Sequence, residues 1–267
     1  MTHHDQTLIT HLLQRARWLV QAVSCLANIW RKKDPVTAAK MSTILSKVFL
    51  FITFVCVRTS ACNQKTFKLH VTEDVWIENS YNNYNYYPWL LLGTHPGYPL
   101  KRSLMKFQDI PKECKYPFEA TLHLYFVYAH KASFMSEAQV PAIKRYVVAH
   151  TVLKSWSESQ ATKTKRYNGA YWSQPWLKLG TDAKSVSSPS TPVQPFPGNK
   201  WYTVDVTKQA VDWKFCRNYG LLLRDTHEKV LGRDFRFASN AYKDKSKHAY
   251  IILKCFVWPT WLCKCIK

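Results

Sequence analysis

Short segments in which apolar and polar residues alternate recur along this chain and limit the folds that it can adopt. The clearest one covers residues 120–128, where Leu122, Leu124 and Phe126 share one face, because successive side chains of a strand point to opposite sides. Only residues 207–215 have helical spacing, with Asp205 or Thr207 as the cap. The pattern predicts an all-β fold, a β-sandwich of jelly-roll type with one short helix. The other predicted strands cover residues 67–71, 75–77, 103–107, 146–153, 200–206, 220–224, 235–237 and 249–254.

Two stretches between these strands are predicted to be surface loops. Residues 181–199 are rich in serine and proline, and proline removes a backbone donor and fixes φ, which excludes a central strand. Residues 157–170 carry the basic run from Lys163 to Arg166 and are interpreted as a solvated loop.

Residues 41–61 have the three-part order of a secretory signal peptide. Lys47 precedes the ten apolar-type residues 48–57, and small residues follow up to Ala61, where cleavage is expected. The apolar run is shorter than the roughly 20 residues that span a bilayer, so no stable membrane span is predicted; the alternative is a buried strand or core helix. Residues 1–40 are a basic extension, interpreted as an overlong first exon, an extended start of the signal, or a cytosolic tail on a signal anchor. The predicted localisation is secreted and extracellular.

The charge of the chain predicts a polyanionic partner. Lys and Arg number 38 against 17 Asp and Glu, a formal net charge of +21. Eight basic and two acidic residues precede residue 62, so the secreted part keeps a charge of about +15. Acidic polysaccharide and extracellular-matrix components fit this charge, and secretion excludes most nucleic acid.

Six cysteines follow the predicted leader and are disulfide candidates. A zinc site formed by the last three is less favoured, since the step from Cys263 to Cys265 is not a usual zinc spacing. The tail, residues 256–267, is rich in Cys and Trp, and unpaired cysteines there would allow disulfide-linked oligomers. The six candidates are Cys62, Cys114, Cys216, Cys255, Cys263 and Cys265.

Motifs for catalysis and for cofactors are missing from the sequence. Neither a glycine-rich phosphate loop nor an HExxH or GxSxG motif occurs, so no catalytic residue and no cofactor are predicted. A structural calcium ion stays open as an alternative, because carboxylates are its preferred ligands. The candidate ligands are Asp74, Glu78, Asp205 and Asp225.

Aromatic residues give the strongest functional signal. Residues 81–89 hold five aromatic rings and three asparagines, and a second group contains Tyr171, Trp172 and Trp176. Rings offer flat apolar faces and amides offer paired donors and acceptors, which suits a sugar ring; the same chemistry stacks nucleobases. Trp76, Trp156, Trp201 and Trp213 are instead predicted to lie in the core. The predicted ligand-binding residues are Tyr84, Tyr86, Tyr87, Trp89, Arg102, Lys163, Lys165, Arg166, Trp172 and Trp176.

Several motifs, in order over about residues 68–255, resemble the family-96 carbohydrate-binding modules, also called DNRLRE domains. They include Asp74-Val-Trp-Ile77, Trp156-Ser-Glu158, Tyr171-Trp-Ser-Gln-Pro175 and Asn218-Tyr-Gly-Leu-Leu-Leu-Arg224. The chain departs from the family at Gln108, in its expanded loops and in its cysteines. The resemblance implies that residues 62–255 form a β-sandwich that binds polysaccharide without cleaving it.

Together these observations predict a secreted, non-catalytic module that binds an acidic polysaccharide by aromatic stacking and basic side chains. Three alternatives stay open. The first is a structural matrix or adhesion protein cross-linked by disulfides, which the Cys- and Trp-rich tail favours. The second is a polysaccharide lyase that uses Tyr with His or Lys. The third is a nucleic-acid-binding protein, which a functional leader would exclude.

Overall fold

A computed structural model describes residues 64–94, 100–131, 145–194, 197–228 and 233–257. The predicted leader, the extension 1–40, most of the tail and the cysteines at 62, 263 and 265 lie outside these ranges. The described chain is mostly antiparallel β-sheet with one α-helix, which confirms the predicted all-β class. Within the described part, no helix has the length and apolar character needed to cross a bilayer.

The described ranges contain thirteen strands and one α-helix, α1. In chain order they are β1 Gln64–Ile77, β2 Trp89–Gly93, β3 Arg102–Phe107, β4 Tyr116–Lys131, β5 Arg145–Val152, β6 Lys165–Tyr167, β7 Ala170–Tyr171, β8 Ala183–Ser187, β9 Thr191–Val193, β10 Lys200–Asp205, α1 Thr207–Phe215, β11 Leu221–Asp225, β12 Arg233–Ala238 and β13 Tyr250–Phe256. A short 3₁₀ helix, Lys245–Lys247, precedes β13.

Strand β1 belongs to two sheets. Its first half pairs with β13, its second half pairs with β3, and the register shifts between Val71 and Glu73. In the first sheet, the long strand β4 pairs with β10 along one edge. Along its other edge, β4 pairs with β12 and β13, which lie end to end. Strand β12 then pairs with β2, and β13 pairs with β1. The second sheet has the order β1, β3, β11, β5, with β8 and β9 pairing with the outer edge of β5. A β-bulge of this kind bends a strand, which lets β1 pass from one sheet to the other.

The two sheets bury one apolar core between them. The alternation predicted for β4 is confirmed, since Leu122, Leu124 and Phe126 are all buried in this core. From the first sheet it also receives Phe235, Phe237, Ile251 and Leu253, and from the second Met105, Phe107, Leu221 and Leu223. This shared core is the sandwich arrangement, in which both inner faces interdigitate.

The second sheet is also covered on its outer face. Leu104 and Leu222 point away from the main core and pack in a smaller cluster with Trp156 and Trp172. We call residues 153–183 the covering segment, because these two tryptophans belong to it. The prediction that residues 157–170 form a plain solvated loop is therefore wrong: the segment contains the β6–β7 hairpin and buried Ala161.

The proline-rich stretch also differs from its prediction. It contains β8 and β9, which pair with β5, and Pro192 itself lies in β9 opposite Tyr146. Both strands are short and lie beside the outer edge of β5, where proline is tolerated. The exclusion of a central strand therefore holds, while the description as a loop does not.

Helix α1 begins at Thr207, as predicted, but its N-cap residue is Val206, which makes no side-chain cap hydrogen bond, and not Asp205 or Thr207. Asp205 accepts a hydrogen bond from the backbone N–H of Thr207 at 2.9 Å, which satisfies one of the donors that a helix start leaves unpaired. The Thr207 hydroxyl instead accepts from the backbone N–H of Ala120 at 2.9 Å, so it ties the helix to β4.

Two of the six disulfide candidates are bonded to each other. Cys114 and Cys255 are bonded with Cα atoms 5.2 Å apart, and both are fully buried. The bond joins the segment before β4 to the last strand, across 141 positions of sequence. Cys216, directly after α1, is a free and exposed thiol.

Candidate functional site

The turn between β1 and β2 holds the predicted aromatic segment, but its central ring is buried. Tyr84 is 9% exposed and stacks on Trp76 with ring centroids 3.9 Å apart. Its hydroxyl donates to Glu78 and lies 2.9 Å from the Ser80 hydroxyl. Burial, and then the Glu78 carboxylate, raise the pKa of Tyr84. Tyr84 is thus a core residue whose ring is unavailable to a ligand.

The other rings of this turn are more accessible. Tyr81 and Tyr86 are 76% and 69% exposed, whereas Tyr87 and Trp89 are half-buried against the core. Tyr87 contacts both Tyr84 and Tyr86, with ring centroids 5.5 Å and 4.8 Å away. Trp89 is the first residue of β2. The sequence pattern did not predict this strand.

Lys163, one of the predicted ligand-binding residues, contacts another of them, Trp176. Its ammonium lies 4.5 Å from the centroid of the Tyr81 ring and 6.0 Å from that of Trp176, and it donates to the Asn79 side chain at 2.7 Å. The backbone N–H of Trp176 donates to the carbonyl of Lys163 at 2.8 Å. The structure therefore brings Lys163 and Trp176 together, with Tyr81 as an unpredicted neighbour.

Three other predicted residues have their polar groups engaged within the protein. Arg102 donates to Glu228 at 2.9 Å and to the carbonyl of Leu177 at 3.3 Å, which fixes it under the covering segment. Trp172 is 5% exposed and its indole N–H donates to the carbonyl of Thr162 at 3.0 Å. The Arg166 guanidinium donates to the carbonyls of Tyr171 and Ser155, both at 3.1 Å.

These contacts explain the folding of the covering segment and leave little for a ligand at Arg102 or Trp172. Lys165, on β6, is exposed. Sequence alone gave no indication that the basic and aromatic residues of the segment bond to its own carbonyls.

The four predicted calcium ligands do not converge. Glu78 accepts from Tyr84, Asp205 from the start of α1, and Asp225 from Arg145. Within the described ranges, no group of three or more His, Cys, Asp or Glu residues is arranged to hold a metal ion.

Asp74 belongs to a buried polar network that connects β1, the covering segment and the turn after β12. Its Oδ2 accepts from the backbone N–H of Asn240 at 2.8 Å, and the Asn240 amide donates to Glu158 at 2.7 Å. Glu158 also accepts the backbone N–H of Asp74 at 2.9 Å. Burial raises the pKa of Asp74 to about 8; the Asn240 N–H opposes this shift and the nearby Glu158 adds to it. Asp74 is therefore largely protonated at neutral pH.

The outer face of the first sheet carries a group of rings that sequence analysis did not identify as a site. We call it the ring platform: Trp201 on β10, His123 and Tyr125 on β4, and Tyr250 on β13. Trp201 lies opposite Tyr125 and His123 lies opposite Tyr250 in the ladders. Because paired residues share a face of the sheet, all four side chains lie on the side opposite the core residues Leu122 and Leu124.

The rings of the platform are in mutual contact. His123 stacks on Tyr250 with centroids 4.6 Å apart and planes 10° apart. The Trp201 ring lies 5.3 Å from that of Tyr125 and 5.5 Å from that of Tyr250, in edge-on geometry. Trp201 is 36% exposed and Tyr125 is only 9% exposed. Tyr125 therefore supports the platform from beneath, and the accessible rings of the platform are Trp201, His123 and Tyr250. The prediction that Trp201 lies in the core with Trp76, Trp156 and Trp213 is wrong for Trp201 and confirmed for the other three, which are 4–5% exposed.

Two lysines flank the platform. The Lys68 ammonium lies 4.0 Å from the centroid of Tyr250, and the Lys247 ammonium lies 4.6 Å from that of Tyr125. Lys68 comes from β1 and Lys247 from the 3₁₀ helix, so the positive charges approach the rings from two elements. Partial burial lowers the pKa of His123, and the charge of Lys68 adds to this. The imidazole is therefore mainly neutral at pH 7 and acts as a further flat ring.

One sequence signal points to this face. The alternation that buries Leu122 and Leu124 necessarily places His123 and Tyr125 on the other side of β4. Trp201, Tyr250 and Lys68 join them only through strand pairing across long sequence separations, which no local pattern contains.

Comparison with family models and with curated protein sequences does not assign a family to the chain. No family model matches the chain, and no curated protein matches its sequence. The resemblance to family-96 modules therefore depends on the short motifs alone, and the function has to be argued from the surface that the fold builds.

Proposed function

We propose that the protein is a non-catalytic module that binds an anionic polysaccharide on the ring platform. The observation that carries this proposal is the combination of a ring cluster, spread over three adjacent strands, with a lysine on either side of it. The rings supply apolar faces for the C–H surface of sugars. Lys68 and Lys247 supply compact positive charges for the carboxylate or sulfate groups along the polymer.

The overall charge supports the same partner. With 38 basic against 17 acidic residues, the protein attracts polyanions over distance, and this attraction is screened by salt beyond about 10 Å at 0.1 M. The motif resemblance to family-96 modules also supports a sandwich that binds polysaccharide and does not cleave it. Tyr81, Tyr86, Lys163 and Trp176 form a second, smaller group of accessible rings and charge that would add contacts.

Secretion is part of the proposal. The predicted signal peptide supports it, and so does the buried Cys114–Cys255 disulfide, since such bonds persist mainly in oxidising compartments. An extracellular location is also where an acidic polysaccharide would be met.

The substitution Trp201→Ala tests the proposal. A stacking contact of a single aromatic side chain with a nucleobase contributes about 1–3 kcal/mol. We expect a loss of similar size here, which is about fivefold to 150-fold in affinity. Retention on immobilised heparin, hyaluronan and alginate, followed by titration calorimetry with the retained polymer, measures it. Wild-type affinity is expected to fall as salt rises, and to fall less steeply in a Lys68→Ala/Lys247→Ala variant.

The matched controls are Phe215→Ala and Lys208→Ala, which remove an exposed ring and an exposed lysine of α1. Both are expected to bind like wild type. If wild-type protein is retained by none of the three polymers at low salt, the proposal is wrong. Release of oligosaccharide products in the same incubations would instead favour the lyase alternative.

The matrix-protein alternative is favoured by one observation, the exposed thiol of Cys216. Such a thiol can form a disulfide with a second chain once the protein is oxidised. We expect wild-type secreted protein to run partly as a disulfide-linked dimer on non-reducing gels, and Cys216→Ser to run as a monomer. Dimers that persist in Cys216→Ser would place the link at another cysteine, and a monomeric wild type would remove support for this alternative.

A further inference from the structure

A bulge in β4 changes which residues face outward. Phe126 pairs with Phe237 and Tyr128 pairs with Arg236, so Val127 is an extra residue without a counterpart on β12. Under regular alternation Tyr128 would point into the core like Phe126. Because the bulge reverses the alternation, Tyr128 lies on the outer face, the same face as His123 and Tyr125, and is 37% exposed.

Tyr128 belongs to a second cluster, which we call the arginine cluster: Trp89, Tyr128 and Arg236. The Arg236 guanidinium carbon lies 4.8 Å from the centroid of Tyr128 and 5.0 Å from that of Trp89. Arg236 also donates to the Tyr128 hydroxyl, and the two rings meet edge to face with centroids 6.2 Å apart. Asp234 Oδ1 lies 4.0 Å from Arg236 Nε, at the limit of an ion pair, and the Arg236 side chain is 18% exposed.

The two clusters lie on one face of the first sheet and share β4. His123 and Tyr128 are five positions apart, and because the bulge inserts one residue, this corresponds to about four regular strand steps, roughly 13 Å. The nearer platform residue Tyr125 lies about two steps, roughly 7 Å, from Tyr128. The far rings of the two clusters are separated by more than one sugar ring, so a ligand that contacts both ends must contain more than one sugar unit.

We propose that the ring platform and the arginine cluster form one continuous binding track for consecutive sugar units of an anionic polysaccharide, with Arg236 as the determinant for its charged groups. This inference rests on the proposed function and specifies its ligand as a polymer segment. Arg236 suits the role because a guanidinium donates bidentately to carboxylate or sulfate, which a lysine cannot do. Stacking between two rings restricts its orientation and leaves less freedom to lose on binding.

The experiment measures affinity for a size series of heparin oligosaccharides, from disaccharide upward, by titration calorimetry at fixed salt. Wild type is expected to bind the longer members at least tenfold more tightly than the shortest ones. Arg236→Ala is expected to remove this gain while the shortest oligosaccharides bind as they do to wild type. Trp201→Ala is expected to weaken every length.

The Arg236→Lys variant separates the effect of the bidentate guanidinium geometry from the effect of the positive charge. It also replaces the alanine variant in the experiment if that variant is poorly folded. It keeps the positive charge but not the bidentate geometry, and we expect it to retain only part of the length-dependent gain. Thermal unfolding of each variant establishes that it is folded before binding is measured.

Two outcomes separate the inference from the proposed function. If short and long oligosaccharides bind equally, or if the length gain survives in Arg236→Ala, the track is wrong while binding at the platform stands. If no length binds to wild type, the proposed function fails and the track fails with it.

Discussion

Replacing Asp225 with alanine is expected to lower the free energy of unfolding by about 3–5 kcal/mol. Asp225 ends β11 and Arg145 begins β5, and both side chains are only 1% exposed. The Arg145 Nη1 donates to Asp225 Oδ2 at 2.8 Å. Removing the carboxylate takes one counter-charge and one hydrogen-bond acceptor away from a buried guanidinium, and water cannot replace them at that depth.

The pair also fixes the turn that follows β11. Arg145 donates to the carbonyl of His227 at 2.7 Å, and Asp225 Oδ1 accepts the backbone N–H of His227 at 2.9 Å. Glu228, one residue further on, binds Arg102 beneath the covering segment. Loss of Asp225 is therefore expected to loosen this turn as well as the edge of the second sheet.

Urea unfolding measures the effect, with Glu113→Ala as the matched control. Glu113 pairs with Lys65, but both side chains are more than half exposed, and an exposed pair contributes less than about 1 kcal/mol. Equal losses in the two variants would show that the burial of Arg145 and Asp225 does not govern the strength of their interaction.

How much of this structure the sequence predicts depends on how local each feature is. The β4 strand and α1 were predictable because their signals lie within about ten consecutive residues: alternation around Leu122 and Leu124, and helical spacing after Asp205. The run Leu221, Leu222 and Leu223 contained a further signal. An apolar run without alternation is typical of a strand buried on both faces, and Leu222 is indeed covered by residues 153–183.

The functional surface was mostly not predictable. The ring platform joins residues near positions 68, 123, 201 and 250, and only the pairing of β1, β4, β10 and β13 brings them together. The outward position of Tyr128 depends on the bulge at Val127, for which the sequence pattern gives no sign. Tyr84 shows the opposite error, because a Tyr- and Asn-rich turn is typical of a surface, yet this ring stacks beneath the turn on Trp76.

Asp74→Asn is expected to make the protein more stable than wild type at pH 8, with the difference growing from pH 5 to 8. Burial raises the pKa of Asp74 from 3.8 to about 8 in the folded state. Between these two values the folded protein binds the proton that the unfolded chain releases, so the stability of wild type falls as pH rises through this window. The upper limit is about 1.4 kcal/mol per pH unit, or roughly 4 kcal/mol over three units.

Asparagine keeps the structure of the network while removing its titration. Its side-chain oxygen can still accept the N–H of Asn240, and its amide stays neutral beside Glu158 at every pH. His123 and His150 also titrate differently in the folded state, because burial lowers the pKa of both. Since they are present in both proteins, the difference between wild type and Asp74→Asn isolates Asp74.

Urea unfolding of both proteins at half-unit steps from pH 5 to 8.5 measures this difference. A difference that does not change with pH would mean that Asp74 titrates normally in the folded protein. A wild type that is the more stable protein at pH 8, and gains further stability on addition of calcium, would mean that Asp74 is ionised and held by a cation. Its Oδ1 is buried and has no hydrogen-bond partner among the described residues, so this oxygen is the atom that such a cation would have to contact.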